Sequence, residues 1–88
     1  MTSIDDLERQ ARDIRARHRD LQKLLSRYHT EMVRLHDVHG HKGIWQRHRL
    51  QTDINAVKAA AEAQGRDLMA VEQRLAALRT AAKRRIAA

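Results

Sequence analysis

Histidine is the residue type best placed for chemistry in this chain of 88 residues. Four of its six histidines lie close together: His36, His39, His41 and His48. On a helix His36 and His39 stand one turn apart; His41 then follows in a turn, and His48 returns on a second helix. Imidazoles grouped in this way suit zinc, nickel or copper, so a transition-metal site sealing the turn is one expectation. The chain has no Cys and no carboxylate that completes the set. The alternative is therefore four exposed polar side chains at a solvated end, with His39 near a helix C-terminus where positive charge is favoured. No other cofactor is expected.

The same stretch holds the one tryptophan, Trp45, beside Lys42, Arg47 and Arg49. An exposed indole among cations has the makeup of a binding anchor. The competing expectation is a lid, with Trp45 and Ile44 folded over Val38 and Leu35. Further cations form a stripe, Arg12, Arg15 and Arg19, and a C-terminal group, Arg79, Lys83, Arg84 and Arg85. These are the candidates for a phosphate backbone. Acids interleave with the first set, as on an ordinary solvated face, where Glu8 with Arg12, Asp13 with Arg17, and Asp67 with Arg74 are expected as ion pairs.

Catalytic patterns are missing. Ser3 and Ser26 lie in no nucleophile-elbow context, and neither a Gly-rich phosphate loop nor an H-E-x-x-H pair occurs. The expectation is a protein that is not an enzyme. The absence of Cys also removes disulfides and thiolate zinc sites. Phe and Pro are absent too, a composition that belongs to long helices. With no leader-like start and no apolar run of membrane-spanning length, a soluble, cytoplasmic protein is expected. The net charge of +7 resides almost wholly in the second half, where ten Lys or Arg from Gly40 onward meet four acids, a surplus of six. An acidic partner would suit that surplus.

Apolar periodicity positions all of these groups. With Ile4 as heptad position a, the a sites are Ile4, Ala11, His18, Leu25, Met32 and His39, and the d sites are Leu7, Ile14, Leu21, Tyr28 and Leu35. A second series has a sites Arg47, Ile54, Ala61, Leu68, Leu75 and Ala82, and d sites Leu50, Val57, Gln64, Val71, Leu78 and Arg85. Runs of this length in one phase predict coiled-coil helices. Ser3 with Asp6 reads as a capping box, and Gly40 as the left-handed residue ending the first helix. The predicted single domain, residues 1–88, is all-α: helix 3–39, turn 40–43, helix 44–87, folded into an antiparallel hairpin. A break at Gly65, giving a three-helix bundle, is the alternative. His18 falls level with Gln64 and Gly65, so polar seam residues meet and fix the register.

One hairpin offers little core for its length. The second helix also carries apolar surface beyond one seam, including Ala56, Ala63 and Ala70. Two hairpins are therefore expected to dimerise into a four-helix bundle, or one to dock on a partner's helices. The architecture resembles several unrelated hairpin groups: small RNA-binding plasmid-copy-control bundles, the tRNA-binding arm of seryl-tRNA synthetases, and secreted ESX-type hairpins. The last carry Trp-x-Gly in the turn, whereas Gly43-Ile44-Trp45 runs in the opposite order, so no site transfers. The functional expectation is a self-associating protein-interaction module, an adaptor, assembly factor or inhibitor, using Trp45, Arg47, Arg49, Lys42, Ala56, Ala63 and Ala70. The alternative is a DNA- or RNA-binding regulator using Arg12, Arg15, Arg19, Arg79, Lys83, Arg84 and Arg85.

Overall fold

The computed structural model describes residues 3–87. They form two helices, α1 (Ile4–Leu35) and α2 (His41–Ala87), packed antiparallel in a rod of 72 × 17 × 14 Å. The expected hairpin is the fold. α2 runs unbroken through Gly65, so the three-helix alternative does not occur.

α1 begins as its sequence dictates. Ser3 Oγ accepts from the Asp6 backbone N–H at 3.1 Å, and the Ser3 N–H donates back to the Asp6 carboxylate at 3.5 Å. Asp5 and Asp6 lie at the positive end of the helix dipole. The helix stops at Leu35, four residues before the expected His39. The reason is a tightened last turn: His36 N–H donates to the Val33 carbonyl at 3.2 Å and Val38 N–H to the Leu35 carbonyl at 3.1 Å. Gly40 does take a positive φ, +90°, but it launches α2 rather than ending α1. Its carbonyl accepts the Ile44 N–H at 3.1 Å, and α2 starts at His41 instead of Ile44.

The heptad seam holds along the rod. Every a and d residue of α1 from Ile4 to Leu35 is buried or half-buried, as are those of α2 except Leu78 and Arg85. The open end has the densest packing, Leu7, Ala11 and Leu75, with Ile4, Leu68 and Val71 against them. Leu50, Ile54 and Ala61 are buried nearer the tip. His18 and Gln64 interrupt the apolar series at mid-seam. His18 Nδ1 and Gln64 Oε1 are both buried without a hydrogen-bond partner, while His18 Nε2 lies 3.3 Å from the Gln22 side-chain nitrogen. In the tautomer whose Nε2 accepts from Gln22, the His18 Nδ1–H and the Gln64 Oε1 are a complementary donor and acceptor.

Charges on one edge of the seam pair across the helices. Arg15 Nη2 meets Glu72 Oε1 at 2.6 Å, and Arg79 Nη2 meets Glu8 Oε1 at 2.9 Å. Among the described residues the expected pairs Glu8–Arg12, Asp13–Arg17 and Asp67–Arg74 do not form; Glu8 reaches over the groove to Arg79 instead. Such half-exposed pairs contribute at most about 1 kcal/mol each. Their pattern has more consequence than their strength. Sliding one helix by a heptad would set Glu8 against Glu72, or Arg15 against Arg79, so a one-heptad slip in either direction opposes like charges.

Candidate interaction surfaces

The tip is built around two residues that let the backbone close. Gly43 is buried, and a Cβ there would collide with the Val38 carbonyl. Arg47, one turn further along α2, donates from Nη1 to the carbonyls of Leu35 at 2.8 Å and Val38 at 2.6 Å. The cation thereby caps the C-terminus of α1, where carbonyls lack helical partners and the dipole favours positive charge. Arg47 was a candidate partner contact; its guanidinium is committed inside the chain. The heptad pattern held the signal, an arginine at a seam position just past the turn.

Trp45 is not a lid. It is 67% exposed, and Ile44 beside it is 58% exposed. Because α2 starts at His41, Gly43, Arg47 and Leu50 are the residues facing α1. At about 100° per residue Trp45 points away from them. It sits in a shallow depression with His41, Lys42, Gln46 and Arg49, and no carboxylate lines it. The first turn of α2 has no acid, and Gly40 supplies no capping side chain.

From this depression a strip follows the back of α2 at seven-residue spacing: Lys42, Arg49, Ala56, Ala63, Ala70, Ala77 and Arg84. All are exposed except Ala63, which is half-buried. The structure thus places Lys42, Arg49, Ala56, Ala63 and Ala70 on one continuous face, with Trp45 at its end. A second shallow depression, lined by Ala76, Ala77, Thr80, Ala81 and Arg84, lies at the far end.

The other candidates separate. Arg15 and Arg79 are held in the cross-helix ion pairs, whereas Arg12, Arg19, Lys83, Arg84 and Arg85 are exposed. With Leu7 on Leu75, residues beyond about 82 overhang the start of α1. The C-terminal cations therefore form a group apart from Arg12 and Arg19. His36, His39, His41 and His48 are all exposed, and no three His, Cys, Asp or Glu residues converge on a metal-sized site among the described residues. The metal site expected at the turn is not assembled. No described helix is long and apolar enough to cross a membrane. No family model, curated protein or solved structure matches the chain.

Proposed function

We propose that this hairpin is a non-enzymatic interaction module that self-associates and docks on another protein, as an adaptor, assembly factor or inhibitor, in the cytoplasm. The observation carrying the reading is the exposed Trp45 in its cationic depression, continuous with the alanine-rich back of α2. Small side chains let a second helix approach closely, and a large indole at the end of the strip supplies an anchor. Self-association into a four-helix bundle would cover seam residues that one hairpin leaves half-exposed. Affinity capture from native lysate, run in parallel with wild type, Trp45→Ala and Ala63→Glu, tests the docking face. A partner lost in both variants supports it; capture indifferent to both overturns it. Light scattering tests self-association, and a strict 10.2 kDa monomer at high concentration would contradict the bundle.

The nucleic-acid reading draws on the exposed group Lys83, Arg84 and Arg85 at the overhanging end of α2. It predicts a mobility shift of DNA or RNA that weakens steeply with salt. No shift at micromolar protein removes it.

A further inference from the structure

The seam contacts are indifferent to which chain supplies the second helix. Leu7 on Leu75, Glu8 with Arg79, Arg15 with Glu72, and His18 level with Gln64 would form unchanged if α2 came from another copy. The alternating charges disfavour one-heptad slips but carry no information about chain identity. Only the tip ties α1 to its own α2. There Arg47 holds the Leu35 and Val38 carbonyls, Gly40 turns at φ +90°, and Gly43 lies under Val38. These contacts exist only while the chain folds back on itself.

Heptad phase makes the same distinction. The a series of α1 reaches position 39 and that of α2 resumes at Arg47, eight residues on. If the turn straightened into helix, the extra residue would carry the α2 seam about 100° out of line with the α1 seam. The sequence is thus arranged to make a continuous helix a poor fit here.

We infer that the tip is a closure device. It holds the chain as a closed hairpin against exchange of α2 with a second copy, an end-to-end pair in which each α1 is covered by the partner's α2. The short connection keeps α2 at high effective concentration beside its own α1. Exchange therefore needs a weakened tip or crowded chains. This goes beyond the side-by-side self-association proposed above and differs from it in shape. Two closed hairpins double the mass within the 72 Å rod, whereas an exchanged pair doubles the mass and nearly doubles the length.

Two variants test it, with mass from light scattering and length from small-angle X-ray scattering over a concentration series. Deleting Gly40 removes the left-handed residue and brings the two heptad series into one phase. That chain should be helical by circular dichroism, twice 10.2 kDa in mass, and on the order of 130 Å long at 1.5 Å per residue. Arg47→Ala keeps the turn but removes both carbonyl contacts. It should raise the exchanged fraction at a given concentration about tenfold, as loss of charge-assisted hydrogen bonds implies. Wild type should keep the short length at concentrations where Arg47→Ala already exchanges. If the Gly40 deletion unfolds, or folds as a monomer of unchanged length, the seam does not transfer between chains and the inference is overturned. Doubled mass at unchanged length also overturns it, and leaves the side-by-side bundle standing.

Discussion

At the open end of the rod α1 starts with a capping box and two acids, and its first turns bury Leu7 and Ala11 against Leu75. At the tip α2 starts on a glycine with no acid in its first turn, beside exposed Ile44 and Trp45. One end is closed by side chains that pack and pair. The other is closed by backbone that must approach closely, with a single guanidinium bridging two carbonyls. The difference separates what stabilises the hairpin from what shapes it. The open end supplies buried apolar area, and the tip supplies the direction of return while leaving its large apolar side chains free for contact.

Substitutions at each end can break or sharpen that contrast. The largest effect should come from Leu7→Ala, which empties the fully buried centre of the open-end cluster. Thermal unfolding should show a loss of about 3 kcal/mol, and a loss below about 1 kcal/mol would mean that the open end is not packed as described. Gly43→Ala should follow at about 2 kcal/mol, through collision with the Val38 carbonyl rather than through any lost contact. An unchanged melting temperature would show that the tip backbone yields freely. Ser3→Ala removes the cap at the open end and should lower stability by about 1 kcal/mol.

Between the two ends, Gly65→Ala should change stability by a similar amount with the opposite sign. A Cβ at Gly65 meets nothing within 4 Å, and alanine is favoured over glycine in a helix interior by about 1 kcal/mol. Destabilisation there would show that something else needs the space. Smallest of all, Arg15→Gln should cost no more than about 0.5 kcal/mol at low salt. Its effect should vanish by about 1 M salt; a loss that persists there would make the Arg15 contact something other than a screened surface pair.

The open end and the seam were legible in the sequence because they rest on periodicity and local capping. Ile4, Leu7, Ala11 and Ile14 at steps of three and four, and Ser3 three residues before Asp6, mean the same in any helical context. The tip was less legible because its geometry depends on atoms brought together only after the chain has returned. Nothing local to Arg47 says that it will meet the carbonyls of Leu35 and Val38, and nothing local to Gly40 says which helix it serves. Ion-pair partners escaped for a related reason: Glu8 has Arg12 one turn away on its own helix, yet the antiparallel register brings Arg79 across the groove. The histidines illustrate the opposite hazard. Proximity along the chain suggested a shared metal, but a helix ending at Leu35 leaves His36 and His39 in the connection and His41 at the start of α2, and among the described residues these side chains do not converge on a metal-sized site.

The unbroken course of α2 makes the molecule a ruler. Trp45 and Lys83 are 38 residues apart on one helix, which is about 57 Å at 1.5 Å per residue. A partner that engaged both groups would be kept at that separation, with no flexible link between them. A partner or lattice whose two sites match the span would be gripped at both ends by one rigid body, and one whose sites are spaced otherwise could engage only one end at a time. Inserting or removing whole heptads in pairs, one in each helix, would change the span in steps of about 10.5 Å while leaving the facing of every side chain unaltered.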